Sequence, residues 1–339
     1  MAVLMLRDTP VYDIAKNIVL NNQLSPFAST DDTKKAYEKW RRHRAYLKSN
    51  RTAERVIAQA GGNDTHEAKR RLSLSDGYWV KYKYDNDILF ESITPYMNPF
   101  SVLYTQKGAA RSSSVPEIVI GGSQPKQWKR GDDGVIYMQK TEHPEQVHAE
   151  MLAVKLAQKC GIPVMDAFVE TENGGRIYAT EYTSQLPYGV INLVNMTSTD
   201  VSLIPLDQLG VWVNGYDPVS VAGGYVSCGV TECPKDIAVM QVVFDCIVGN
   251  IDRETNNSNW AIFMDNHTGN RTPSAMYDFN WANMKSINEI NINKIAPFIK
   301  KAKLESIAIT QITRICAMCD DMKLDTWASN AKMLLSVLS

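Results

Sequence analysis

The chain has 339 residues, 44% of them hydrophobic and 22% charged, and a formal net charge of −1. That is enough chain for two lobes with a substantial core, and so even a charge balance exerts no global pull toward nucleic acid or a membrane surface. No apolar run approaches the roughly 20 residues that cross a bilayer.

The N-terminus, MAVLMLRDTP, places its one basic residue after a short apolar run. This is not the layout of a secretory leader, and a cytoplasmic location is expected. The cysteines, Cys160, Cys228, Cys233, Cys246, Cys316 and Cys319, are sparse and scattered, as in a reducing compartment. Cys316 and Cys319 form a CxxC with no second pair at zinc-site spacing and read as ordinary helix cysteines. Cys228 and Cys233, in a Gly-rich loop-like stretch, read the same way.

Residues 1–30 offer a short strand-like run and then a helix-like segment, DIAKNIVLNNQLSP. Residues 31–60 read as a helix opened by Asp31 and Asp32 and stopped by Gly61 and Gly62. Arg41, Arg42, Arg44, Lys48 and Arg51 recur every three or four residues along it, giving a solvated basic face or a docking surface for an acidic partner. In GYWVKYKYD, Val80, Tyr82 and Tyr84 alternate with Lys81 and Lys83, the period of a half-buried strand. Residues 94–116 are rich in Pro, Ser and Asn and read as a hinge.

From Val115 the pattern is strand, glycine turn, basic strand, then a second strand over 133–141 ending at Lys140. An amphipathic helix follows, with Val147, Met151, Val154, Leu156 and Ala157 on its apolar side. A hairpin turns at Gly174–Gly175 and ends at Tyr182–Thr183. Residues 190–235 carry no clear pattern. Helix returns in KDIAVMQVVFDCIVG, and the chain from about 288 onward is mostly helical.

The chemistry concentrates in two segments. GNIDRETNNSNWAIFMD, residues 249–265, offers Asp252, then asparagines, then a strand-like run from Trp260 to Met264. In AMYDFNWA, residues 275–282, Asp278 sits between aromatic residues. Phosphoryl transfer from ATP needs one carboxylate to orient and deprotonate the attacking hydroxyl. It also needs an amide oxygen and a second carboxylate for magnesium, a hard cation that takes oxygen ligands. Asp252 is the candidate catalytic group, with Asn259 and Asp278 the candidate metal ligands. Upstream, Gly121, Gly122, Ser123, Gln124 and Lys126 form a loop whose backbone amides suit phosphate. Lys140 could reach the α- and β-phosphates, and Glu150, ten residues on in the helix, could fix it, with Glu145 and Glu142 as rivals. Glu181 and Tyr182 complete the expected nucleotide contacts.

Taken together these residues resemble the HipA-like serine/threonine kinases, over roughly residues 70–339. The family's phosphate loop, Gly-x-Gln-Pro-Lys, is matched by Gly122 to Lys126. Its catalytic loop, Asn-x-Asp-Arg-His-x-x-Asn-Trp, is matched by Asn250, Asp252, Arg253, Asn259 and Trp260. Its Tyr-Asp-Phe metal segment is matched by Tyr277, Asp278 and Phe279. Glu254 stands where the family has His, and the loop carries two extra residues. Asn257 keeps the family's spacing, whereas Asn259 keeps the Asn-Trp entry into the strand and is preferred. The serine that such kinases use as a phosphorylated off switch is missing: Val119 and Gly121 hold its place, with Ser123 displaced.

The resemblance implies an α+β, protein-kinase-like two-lobe fold. It has an N-terminal extension over 1–105, a small β-rich ATP lobe over 106–183 and a larger, mostly helical lobe over 184–339. It implies ATP and Mg2+ as cofactors, a protein Ser/Thr hydroxyl as acceptor and, by analogy with toxin–antitoxin kinases, an antitoxin-like or regulatory protein partner. Two other readings stand beside it: a nucleotide-binding pseudokinase working as a regulatory module, which the altered loop motivates, and a small-molecule phosphotransferase.

Overall fold

A computed structural model describes residues 2–27, 32–43, 75–85, 87–94, 96–97, 126–141, 143–171, 173–183, 190–194, 198–250, 252–255, 257–282 and 289–339. The strands are β1 (Ala2–Leu6), β2 (Thr9–Asp13), β3 (Ile18–Val19), β4 (Tyr78–Tyr82), β5 (Lys126–Arg130), β6 (Ile136–Thr141), β7 (Ala167–Glu170), β8 (Arg176–Tyr178), β9 (Val190–Val194), β10 (Val201–Pro205), β11 (Ala261–Asp265) and β12 (Arg271–Pro273). The helices are α1 (Thr33–His43), α2 (Phe90–Ile93), α3 (Pro144–Lys159), α4 (Pro218–Ser227), α5 (Pro234–Val248), α6 (Asp252–Thr255), α7 (Glu289–Ala302), α8 (Glu305–Asp321) and α9 (Asp325–Leu338). The fold is therefore mixed α/β. Among the described residues no helix is long and apolar enough to cross a membrane.

The chain divides into two compact units. The first comprises Met1–Thr141, Val194–Gly210 and Ile262–Arg271, and the second Glu142–Leu193, Val211–Ala261 and Thr272–Ser339. The boundary expected between residues 105 and 106 lies outside the described residues, and the one expected after Thr183 abuts 184–189, which also lie outside them.

In the first unit β1 to β4 form a sheet in the order β3-β2-β1-β4, with β1 antiparallel to both neighbours. Leu4, Met5 and Leu6 are all buried, so both faces of β1 are covered. Met5, Trp79 and Phe90 form one cluster. Tyr12, Phe27, Tyr37, Trp40 and Tyr78 form a second cluster of edge-on and tilted rings, with centroids 5.0–6.2 Å apart, a separation at which aromatic pairs attract beyond their area burial. Tyr37 and Trp40 come from α1, three residues apart and hence on one helix face. The Asp32 carboxylate caps α1 by accepting the Lys35 N–H at 3.0 Å. The expected helix is described only to His43; of its basic face, Arg41 pairs with Glu38 at 2.6 Å, while Arg44, Lys48 and Arg51 lie outside the described residues.

Two local expectations change. The helix-like segment after Asp13 is a tight turn leading into β3. The Asp13 carboxylate accepts the Ala15 and Lys16 N–H groups, both at 3.0 Å, and Asn17 takes φ +59. An aspartate that hydrogen-bonds its own following backbone competes directly with helix. The alternating strand ends at Tyr82, and Tyr84 is exposed, because Asp85 turns the chain by accepting the Tyr82 N–H at 3.0 Å. Farther on, β5 and β6 form an antiparallel hairpin whose register sets Lys126 opposite Lys140.

In the second unit β7 pairs with both β8 and β9, and the β7–β8 turn carries Gly174 at φ +76. Helix α3 starts with Pro144 in its first turn and a reciprocal cap between His143 and Gln146. The apolar positions expected from its sequence are all buried. Helix α5 is the spine of this unit. Ten of its residues from Ala238 to Val248 are buried, which fits a helix covered on several sides by α4, α7, α8 and α9. It ends at Gly249, whose φ of +71 is a conformation glycine adopts without steric cost. Residues 190–235, unreadable in sequence, supply β9, β10 and α4. Cys316 and Cys319 are buried in α8, where desolvation pushes the Cys319 thiol up to about 12. They are core residues.

Candidate active site

The segment after α5 does more than turn. Asp252–Thr255 forms the short α6, and Asn257–Asn259 forms a single 3-10 turn before β11. These two turns bring the Asn259 amide to the Asp252 carboxylate, with Nδ2 donating to Oδ2 at 2.7 Å. A carboxylate only accepts, so the amide must present its NH2 to it, which leaves Asn259 Oδ1 as the group available to a cation. Asn257 is committed elsewhere: its Oδ1 accepts the Val213 N–H at 2.7 Å, and the residue is buried.

Arg253, beside the candidate catalytic aspartate, is a buried hub. Its Nε donates to Asp245 Oδ2 at 2.6 Å, Nη1 to the Asn259 carbonyl at 2.5 Å and Nη2 to the Tyr277 carbonyl at 2.5 Å. The rings of Trp260, Tyr277 and Phe279 lie 5.5–5.8 Å from the guanidinium carbon, within cation–π range. Trp260 closes the turn by donating its indole N–H to the Arg253 carbonyl at 2.9 Å. A buried guanidinium needs this many partners, because an unpaired buried charge costs far more than one hydrogen bond returns. Burial also pushes the Asp245 carboxyl up to about 6, against the opposing pull of Arg253 and Asn250.

The backbone of the candidate metal segment is fixed at three successive residues. Arg253 holds the Tyr277 carbonyl, Asn250 Nδ2 donates to the Asp278 carbonyl at 3.3 Å, and the Phe279 N–H donates to Glu150 Oε1 at 3.2 Å. Asp278 sits at φ +64, a left-handed conformation that costs most L-residues roughly 1–2 kcal/mol and that aspartate tolerates better than most. Phe279 is fully buried against Phe244, edge to face at 5.7 Å. Glu150, the helix glutamate, is itself fully buried.

A second layer was not legible in sequence. Gly215 packs onto the catalytic loop so closely that a Cβ there would lie 2.7 Å from the Arg253 carbonyl oxygen and 2.9 Å from Glu254 Cα. Glu254, where the HipA-like pattern has His, pairs with Lys294 of α7 at 3.0 Å. The Lys294 ammonium lies 4.9 Å from the Tyr216 ring centroid. Burial, with the Glu254 carboxylate alongside, pushes the Tyr216 phenol far above its ordinary value. The one advance signal was Gly-Tyr-Asp-Pro at 215–218, a turn signature before a helix.

Gly121, Gly122, Ser123 and Gln124 are outside the described residues. Lys126 opens β5, and Lys140 is buried at 2% exposure near the end of β6. Glu181 is exposed. Tyr182 is buried, its hydroxyl 3.0 Å from His148 Nδ1 and its carbonyl accepting Lys155 Nζ at 2.8 Å. Among the described residues no cluster of three His, Cys, Asp or Glu side chains forms a metal site. Magnesium bound with a nucleotide does not require one, since one or two protein oxygens and the phosphates suffice. Asn259 Oδ1 and the Asp278 carboxylate are hard donors of that kind.

No family model and no curated protein sequence matches the chain. Among solved structures it is similar to a Helicobacter pylori proinflammatory kinase, CtkA, at a TM-score of 0.40 and 12% identity, covering 63% of this chain and 90% of that one. A likeness of that size does not carry an assignment, which stands on the residues above.

Proposed function

We propose that the chain is an ATP- and magnesium-dependent phosphotransferase of the HipA-like kind, acting on a Ser or Thr hydroxyl of a protein. The observation that carries this reading is the Arg253 hub, which binds the Asn259 and Tyr277 carbonyls at once and so fixes the backbone beside the catalytic and metal groups together. Asp252 accepts the proton of the attacking hydroxyl, as a positioned carboxylate does in phosphoryl transfer. Its Oδ2 already accepts the Asn259 amide, which limits its rotation. Asn259 and Asp278 would hold the magnesium, which when bound neutralises charge on the phosphates. Lys140 is the lysine assigned to the phosphates.

The test is incubation with γ-labelled ATP and a cell lysate, followed by identification of the labelled species. Label on protein Ser or Thr that needs magnesium and is lost in Asp252→Asn supports the reading. Label on a small molecule moves the acceptor class, and no transfer by the wild-type protein overturns the reading.

A further inference from the structure

Helix α5 carries two polar side chains in a run that is otherwise buried and mostly apolar. Gln241 and Asp245 lie four residues apart and so share one face. Both are 3–5% exposed, and both are fully employed. Gln241 Nε2 donates to the Ser274 carbonyl at 3.2 Å while its Oε1 accepts the Tyr225 hydroxyl at 2.7 Å. Asp245 accepts Arg253 Nε on Oδ2 at 2.6 Å and Asn250 Nδ2 on Oδ1 at 3.1 Å. Each of those partners then grips the site. Arg253 holds the Asn259 and Tyr277 carbonyls, and Asn250 holds the Asp278 carbonyl.

On the phosphotransfer reading, we propose that Asp245 is the positioning residue of the reaction: one buried carboxylate orients both Arg253 and Asn250, and through them the backbone that carries Asn259 and Asp278. The two carboxylate oxygens divide the work, one for each arm. The magnesium ligands lie seven and 28 residues from Asp252 and Asn250 respectively, and Asp245 is the acceptor that ties those stretches together. Asp245 makes its contacts through side chains that do not themselves react, so it acts on the geometry of the ligands and not on substrate.

The experiment compares wild type, Asp245→Asn and Asn250→Ala for the magnesium concentration that half-saturates the ATP-dependent melting shift, and for kcat and KM toward ATP. Asp245→Asn keeps volume but replaces one acceptor oxygen with a donor, so one arm is lost. The expected result is a tenfold or greater rise in the magnesium requirement and a fall in kcat of about 10²-fold, the scale set by roughly 1 Å of misplacement, with KM for ATP nearly unchanged. Asn250→Ala cuts only the Asp278 arm. It should raise the magnesium requirement less, and it decides the matter if Asp245→Asn does not fold. A purely structural Asp245 would lower the melting temperature without moving the magnesium requirement. Wild type that responds to magnesium and ATP, with variants that respond identically, overturns this inference alone. Wild type that shows no magnesium-dependent shift and no transfer overturns the phosphotransfer reading, and this inference with it.

Discussion

Gly215→Ala isolates the contact between the 211–217 loop and the candidate catalytic loop. An added Cβ would stand 2.7 Å from the Arg253 carbonyl oxygen, 2.9 Å from Glu254 Cα and 3.2 Å from the Arg253 carbonyl carbon, whereas ordinary contact begins at 3.4 Å. All three atoms are backbone, so no side chain can swing aside, and the loops must separate by about 0.7 Å. The φ of Gly215 is not in the left-handed region, so the effect is steric and not conformational. Overpacking of this kind costs about 1–3 kcal/mol, enough to lower the melting temperature by several degrees in a domain of this size. The Arg253 carbonyl also accepts the Trp260 indole, and Arg253 holds Asn259, so the displacement passes into the site. A shift approaching 1 Å costs about 10²-fold in rate, and a 10- to 100-fold loss of turnover is expected. The assays are a thermal melt and the initial rate of γ-phosphate transfer. Gly223→Ala on α4 is the control: nothing lies within 4 Å of its Cβ, and an exposed helical Gly→Ala stabilises by about 0.5–1 kcal/mol. Gly215→Ala with wild-type melting and rate would refute the claim that this loop sets the position of Arg253.

Asp252→Asn should fold normally and lose about 10²–10⁴-fold in transfer rate; a wild-type rate removes Asp252 from catalysis. Asn259→Ala should abolish most of the magnesium-dependent gain in melting temperature, which for a ligand at 100 times its dissociation constant corresponds to about 2.7 kcal/mol. Asn257→Ala should keep that gain but lose about 1–3 kcal/mol of stability, because it strands the buried Val213 N–H; the reverse outcome would exchange their roles. Burial lowers the His148 pKa below 6.5. The unfolded chain therefore binds the proton first as pH falls, so this contribution is present above 6.5 and is lost below it. In His148→Gln the fall in melting temperature just below pH 6.5 should become shallower, and an unchanged slope would assign it to other groups.

The sequence was most legible where side-chain pattern and backbone demand coincide. The apolar spacing of α3 and α5, with proline at each start and glycine after α5, matches the helices that form. Asp252, Asn259, Asp278 and Glu150 are candidates by residue type in chain order; one short-range hydrogen bond joins Asp252 to Asn259, and one between distant segments joins Glu150 to the Phe279 N–H. The segment after Asp13 is helix-like in sequence, but the Asp13 carboxylate holds the following backbone in a turn. Residues 211–217 were opaque for a different reason. Their contribution is one glycine's absent side chain and contacts to the distant residues Asn257, Glu254 and Lys294, and no periodicity encodes them. Asp245 was missed because a lone acid in an apolar helix reads as noise until its partners are known.

The same external contacts hold the loop while it differs from the HipA-like pattern it resembles. A loop held only by its own sequence would be reset by two added residues and by glutamate in place of histidine. Here the fixed points are external to it. Asp245 anchors Arg253 from α5, Gly215 presses on the Arg253 and Glu254 backbone, and Lys294 pins Glu254 from α7. Between those points Asn257–Asn259 form a 3-10 turn, which sets Asn257 against the Val213 N–H and returns Asn259 to Asp252. Glu254 fits because its charge meets Lys294 beside the Tyr216 ring. A neutral histidine at 254 could accept one hydrogen bond from Lys294, but it carries no negative charge, so the ion pair would be lost. Glu254 and Lys294 are a matched pair, and Glu254→His is expected to loosen the candidate catalytic loop, read as a lower melting temperature, and not to raise the transfer rate.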